Sequence, residues 1–565
     1  MIAPSQFITA FLAFLLIGVL LATYLVGWVG LEIPESRVPR RLSLLVFGAV
    51  VALAGYFAFW IYFVSPAWGK AFSVLMLATG LALAVRTVRR AKGRWRSCFP
   101  DDVLIPAILA GIIGIGYIGL LYAYGGAKFF SVAAERFTWT LPYDNEIPTM
   151  FASRLWDGVS PKRLTAEWLS SDRPPLQAGW SLLFRPFLAP FFDGDTIGAV
   201  AGVWFQLLWV PAIWGLVRTF GTGVTKATSI VSAVTFSGVI LINTTFTWPK
   251  LSSASFLVGA FLFCFSQNSP KARDVFPFVA GGLLAALGFL SHGGVAFSLL
   301  GVIPLVAFQC IRDRSQLRGW LLAGLVFALM SAPWLAYQRF YAPPANHLLK
   351  WHLAGQAEHQ DENVGFLSVL NDQYRSIGWA TAWSYRVANF RTLSGGHYLL
   401  VGNPWHPEFR KWSSGWEFFA TTGSFGFWLL SLAALPWVIW KQRGSHSIVG
   451  PIVVWVVLGI GVWLSLLFLP QSAIVHQGSY VTQVVGLALL TWIAMRIHPL
   501  FFLSIATLQI IVFLIVWVPA REGRPDTLDI FPSAIFGLAT LGLAAINLWR
   551  WFAPEEPEPV AIPEI

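Results

Sequence analysis

The sequence predicts an all-α polytopic membrane protein, a helical bundle of roughly 15 transmembrane helices with two long external loops carrying interfacial helices. Three observations predict it. The chain of 565 residues is 56% hydrophobic and 12% charged, against about 25% charged in an ordinary soluble domain. Its apolar residues fall in long blocks, and Leu42 to Val64 and Val103 to Tyr122 each lack charge. Such a run crosses a hydrocarbon core of roughly 30 Å as a helix, whereas a β-barrel would show short alternating segments. The basic residues, finally, collect in alternate connections, the pattern of the positive-inside rule.

Taken in order, the apolar runs place helices near 6–29, 42–64, 71–86, 103–124, 196–217, 228–247, 251–266, 277–291, 294–311, 319–338, 418–440, 449–469, 479–495, 499–518 and 531–551. The first begins at about Gln6 with no basic n-region or small-residue cleavage site, so it reads as a retained helix and not a signal peptide. With the N-terminus outward, the inner connections carry Arg37, Arg40, Arg41, the basic run Arg86 to Arg96, Arg218, Lys226, Lys271, Arg273, Arg312, Arg314, Arg318, Lys441, Arg443, Arg496 and Arg550. The short outer connections hold Lys70, Lys250, Arg521 and Arg524. The net charge of +11 is therefore a topology signal, and it excludes nucleic acid as a partner. Two long segments, about 125–195 and 339–416, fall outside, and function should concentrate there.

Many of the 29 Trp lie near helix ends, among them Trp28, Trp60, Trp68 and Trp248, and read as an interfacial belt; Trp351, in a loop, suits sugar stacking. Cys98, Cys264 and Cys310 form no close-spaced pair and fall near the cytoplasmic side, where disulfides are rare. The acidic, Pro-rich tail 553–565 reads as disordered.

The first outer segment opens with Tyr143-Asp144-Asn145-Glu146-Ile147-Pro148. Asn145 or Asp144 can cap a helix with Pro148 in its first turn. Ile147, Phe151 and Leu155 then form one apolar stripe and Gly158 offers a stop, which predicts a short interfacial helix. A second interfacial helix is expected from Leu176 to Phe192, entered through Pro174-Pro175. Asp144 has two readings, a helix cap or a general base that takes a proton from an attacking hydroxyl. Asp172-Arg173 likewise reads as a local ion pair or as part of a site.

A carboxylate immediately after a transmembrane helix, an amphipathic helix and then an Asp-x-Pro-Pro-Leu turn resemble the first external loop of the GT-C superfamily. These are integral-membrane glycosyltransferases that use polyprenyl-phosphate sugars, among them protein O-mannosyltransferases, the aminoarabinose transferase acting on lipid A, and family-39-like enzymes of bacterial surface polysaccharide pathways. They show Asp-Glu near the loop start and commonly Asp-His-Pro-Pro near its end. This chain has Asp144-Asn145-Glu146 and Asp172-Arg173-Pro174-Pro175, so the carboxylate pair is split and Arg173 stands where His is common. The split leaves Asp144 and Glu146 both open as the base; Asp144 matches the first acidic position. Gly288-Phe289-Leu290-Ser291-His292-Gly293-Gly294 resembles a Leu-(Ser/Thr)-Lys-Gly segment of such transferases, with His292 in place of Lys.

The resemblance covers about 103–340 and implies a GT-C-like catalytic core over 103–338. Residues 1–102 would be additional N-terminal helices with a basic cytoplasmic loop, 339–416 a second external loop acting as a lid, and 417–552 the C-terminal helices. It implies transfer of a sugar from a polyprenyl-phosphate donor to a hydroxyl of a lipid, glycan or protein acceptor, at the periplasmic or external face of the cytoplasmic (inner) membrane. No cofactor and no metal are expected.

That chemistry needs a base, cations for the departing phosphate, and a groove for the lipid. Asp144 and Glu146 are the catalytic candidates. The binding candidates are Asp172, Arg173, Lys250, His292, Arg339, Lys350, His352 and, in the turn Val475 to Tyr480, His476. For Lys250 and Arg339 the competing reading is snorkelling from a helix end. Two other functions compete: an O-antigen ligase or polymerase using polyprenyl-pyrophosphate glycans, and a lipid or sugar transporter, which internal repeats would favour.

Overall fold

The computed structural model describes residues 6–91, 93, 99–137, 141, 143–165, 168–265, 274–356, 364–394, 421–441, 448–470, 480–520 and 527–552. His476, Cys98, the tail 553–565 and residues 395–416 of the second outer segment lie outside them. The protein is an all-α multi-pass membrane protein, with one small antiparallel hairpin, Arg163–Thr165 against Trp168–Leu169, among the described residues.

Each of the fifteen apolar blocks contains helix, but they differ in kind. Among the described residues, twelve helices are long and apolar enough to cross a membrane, or thirteen if the pair Val224–Val234 and Gly238–Thr245, bent by 75°, counts as one. The expected 228–247 span is thus broken within Thr235-Phe236-Ser237. The expected 251–266 and 277–291 spans are helices Lys250–Phe265 and Phe276–Ser291, of 16 residues each. At 1.5 Å per residue these reach about 24 Å, short of a hydrocarbon core of roughly 30 Å.

The connections sort into two ends, as the charge pattern predicts. At the basic end Arg218 holds Asp102 through Nε at 2.8 Å and Nη2 at 3.2 Å, Arg550 holds Asp101 at 2.7 Å, Arg37 reaches Asp274 at 3.5 Å, and Arg41 Nε donates to Thr219 Oγ1. At the other end Arg136 donates to Val518 O, the Asp529 amide to Ala123 O, Gln338 to Ser171 O, and the Phe468 amide to His352 O. Segments far apart in sequence are therefore gathered at that end.

The Leu176–Leu188 helix is not the interfacial helix expected over Leu176 to Phe192. It is buried on almost every side, with Leu176, Gln177, Trp180, Leu182 and Leu183 all inside. A helix packed all round belongs to a core. It crosses the Ser43–Val64 helix at a glycine pair: a Cβ on Gly179 would fall 2.2 Å from Gly55 O, and one on Gly55 3.0 Å from Trp180 Cα. Only glycine allows backbones this close. The Ser43–Val64 helix also packs Phe59 edge-on against Phe151 at 5.0 Å, and its Tyr56 hydroxyl donates to Met330 O at 2.8 Å. One continuous buried cluster includes residues from both the N-terminal helices and the segment that follows them.

Candidate functional site

The polar turn before the Ile147–Trp156 helix begins the site. Ile147, Phe151 and Leu155 are buried, as the stripe predicts, and Gly158 ends the segment with φ +70°. The expected cap does not form. The N-cap position is Glu146, with no side-chain cap bond, and Asn145 is buried and donates to Phe130 O. Asp144 is turned elsewhere: Arg173 Nη2 donates to its Oδ2 at 2.5 Å, and Trp248 Nε1 donates to its Oδ1 at 2.8 Å. The two charged side chains are only 13% and 14% exposed, so this ion pair is screened far less than a surface pair. A long-range ion pair has displaced the local capping preference.

Arg173 is built to face two ways. Its guanidinium lies over the Trp168 ring at 4.4 Å, and its Nε is buried without a partner among the described residues. Asp172 is buried and accepts the Leu169 amide at 3.1 Å, closing the short 3-10 turn Ser170–Asp172 that presents Arg173. Asp172 thus acts as a positioning carboxylate.

Lys250 comes from the turn Thr247-Trp248-Pro249-Lys250. Thr247 has φ +60°, a strained conformation for a β-branched residue, and Gln177 Nε2 donates to its carbonyl at 2.9 Å. The Gln206 side chain accepts the Leu251 and Ser252 amides, capping the helix that Lys250 begins. Lys250 is 5% exposed, and its Nζ sits 3.5 Å from the centre of the Trp248 ring. Among the described residues no carboxylate reaches ion-pair distance from it; burial first pushes its ammonium well below the usual lysine range, Asp144 opposes that from farther away, and Arg173 adds to it. A buried cation at the positive end of a helix, without a counter-ion, favours an anion.

His292 and His352 complete the group. His292 lies between the Phe276–Ser291 helix and the turn Gly293–Val295, and Lys250, Arg173 and His352 all act electrostatically on its ring. His352, in the His347–Ala354 helix, is pushed down to about 4 by burial first, and then by Lys250 and Arg173. Both rings are neutral at neutral pH.

The other candidates fall differently. Lys350 is buried, but residues two apart on a helix point to opposite sides, so it does not share the face of His352. Arg339 is exposed, outside this group. Glu146 is half-buried, and its carboxyl is raised by burial first and then by Asp195, with Lys128 opposing. Its electrostatic neighbours are thus not those of Asp144. Trp351 stacks on the His352 ring at 5.4 Å. Sequence reasoning missed Trp248 as the partner of Asp144, having placed it in the interfacial belt, and Tyr480 as the partner of His292. The one signal for Trp248 was its place beside a charged residue at the mouth of an apolar helix.

An apolar cleft of about 600 Å³ lies between the helices that lead to and from this group, and none of the group's own residues lines it. Leu257, Phe261, Phe289, Leu299, Phe327 and Leu335 are among its lining residues, drawn from four helices, and Phe289 and Ala296 bracket His292 in sequence. No family model, no curated protein and no solved structure matches this chain.

Proposed function

We propose that the protein is a membrane glycosyltransferase that moves a sugar from a polyprenyl-phosphate donor to a hydroxyl of a cell-envelope acceptor, at the outer face of the cytoplasmic membrane. One observation carries the reading: a carboxylate, Asp144, is paired with Arg173, and Arg173 and Lys250 in turn act on two buried histidines, all from separate parts of the chain. The positive-inside pattern assigns this end to the outside.

Asp144 is the base. The acceptor oxygen attacks the anomeric carbon, its proton passes to Asp144, and the bond from that carbon to the phosphate oxygen breaks. The electron pair leaves on the phosphate, released as polyprenyl phosphate, and the sugar is bonded to the acceptor oxygen. Arg173 bridges the reacting groups, with Nη2 on Asp144 and the free Nε available to a phosphoryl oxygen. Lys250 meets the charge that grows on the leaving oxygen, where low dielectric strengthens the attraction. The apolar cleft suits the isoprenoid tail.

The test incubates membranes carrying wild type or Asp144→Asn with a panel of polyprenyl-phosphate sugars and candidate acceptors, following loss of each donor. Wild type should consume one donor, and the variant should be inactive at equal folded amounts. Normal activity in Asp144→Asn would end the proposal.

A further inference from the structure

The His292 ring is held at one nitrogen only. The Gly294 amide donates to Nδ1 at 3.1 Å, and the Tyr480 hydroxyl lies 2.9 Å from the same atom. A nitrogen that accepts from an amide carries no proton, so the neutral ring bears its hydrogen on Nε2, and the Tyr480 hydroxyl donates toward the same Nδ1 lone pair and, at 3.4 Å, toward His292 O. Among the described residues both hydrogen bonds to the ring go to Nδ1, which leaves Nε2 free.

Tyr480 is fully buried at the start of the Tyr480–Ile497 helix, 188 residues away in sequence. Ser253 lies beside its hydroxyl and donates to Gly288 O at 2.6 Å, tying the helix of Lys250 to the helix that ends at His292. The charged and titratable groups acting on the ring are Lys250, Arg173 and His352, with no carboxylate among them. Burial first, and then these neighbours, oppose a second proton on His292.

We propose that His292 is a neutral hydrogen-bond donor of the phosphate site, its Nε2–H directed at a phosphoryl oxygen of the lipid-linked donor, and that Tyr480 is the positioning residue that, together with the Gly294 amide, keeps it in that tautomer. The identity of the ligand rests on the transferase reading; the tautomer does not. A third fixed cation beside Arg173 and Lys250 would hold the more highly charged phosphate product and slow its release. A neutral donor supplies direction without that attraction.

The experiment uses the full chain in detergent with 15N-labelled histidine, scanned from about pH 5 to 8 and assigned against His292→Gln. The expected result is an Nε2–H ring that stays neutral throughout and whose Nε2 signal moves with a short-chain prenyl phosphate but not with the matching prenyl alcohol. Tyr480→Phe should let the ring sample the other tautomer. In the transfer assay His292→Ala should lower kcat by about 10²–10³, the usual cost of one such donor. His292→Gln, which keeps an amide N–H at similar reach, should regain at least about tenfold of that loss. Tyr480→Phe should lower kcat with KM unchanged and give the pH profile a new acidic limb. An Nδ1–H tautomer, an imidazolium already present at about pH 6, a ring spectrum unaltered in Tyr480→Phe, or prenyl phosphate binding that leaves His292 unmoved would each overturn the inference. A wild type that binds prenyl phosphate through Nε2 yet consumes no donor would instead sink the transferase reading and uphold the role of His292.

Discussion

Replacing Lys250 by methionine should stabilise the unliganded protein while abolishing transfer. Lys250 is 5% exposed, begins a capped helix, and has no carboxylate at ion-pair distance among the described residues. Burying an ammonium costs several kcal/mol after relaxation. The positive end of the helix adds roughly 0.3–1 kcal/mol to that cost. On the favourable side stands the Trp248 face at 3.5 Å, a contribution of about 1–2 kcal/mol for a desolvated pair. Asp144 also favours the ammonium, and Arg173, which engages that carboxylate at 2.5 Å, opposes it. The balance leaves a net cost of about 1–3 kcal/mol, which methionine, of similar length and without charge, removes. Thermal unfolding in detergent is the assay, with and without a short-chain prenyl phosphate. Without ligand the variant should unfold at a higher temperature than wild type; with ligand only wild type should shift upward. A variant that unfolds earlier than wild type, or that keeps normal donor turnover, refutes the reasoning, because Lys250 would then be a structural cation.

Two further predictions concern packing and pH. Gly179→Ala should destabilise by about 1–3 kcal/mol, since the new Cβ meets backbone that cannot move aside; the yield of monodisperse protein and its unfolding midpoint check this, and a wild-type midpoint would contradict the Gly55 crossing. Burial, then Lys250 and Arg173, depress the His352 ring to about 4, while an unfolded histidine titrates near about 6.5. Between those values the unfolded chain binds a proton that the folded chain refuses, so stability should fall as pH drops from about 6.5 to about 4, and no further below. His352→Gln should remove that part of the slope, and an unchanged slope would contradict the placement of the ring.

The helices were legible because lipid forces each one to satisfy its own backbone, so apolar blocks announce themselves. Their lengths were less so. Thr235-Phe236-Ser237 is apolar enough on average to read straight through a 75° bend. Leu176–Leu188 looked interfacial from its prolines and aromatics, yet a glycine pair lets it sink against Ser43–Val64, and glycine at one position says nothing about its partner at another. At the site, Asp144, Arg173, Lys250 and His292 stood out as polar residues stranded against apolar helices. Their pairings did not. Trp248 is 104 residues from Asp144 and Tyr480 is 188 from His292, separations at which no local rule operates. The capping expectation failed for the same reason: a carboxylate 29 residues from an arginine found a stronger partner than the amides beside it.

Helix length, more than residue type, separates the buried polar groups of the candidate site from the topological cations. Lys250 and His292 terminate two 16-residue helices whose far ends lie toward the basic end, where Asp274 meets Arg37. With about 24 Å of helix in a hydrocarbon core of roughly 30 Å, their near ends stop several ångströms beneath the opposite surface. A full-length span would carry the lysine into headgroup water, where it would snorkel and bind nothing in particular. Held below the surface by the strained Thr247 turn and the Gln206 cap, the same ammonium keeps most of its field. Lengthening either helix by one turn would therefore carry Lys250 or His292 into water and abolish the site with every one of its residues still present.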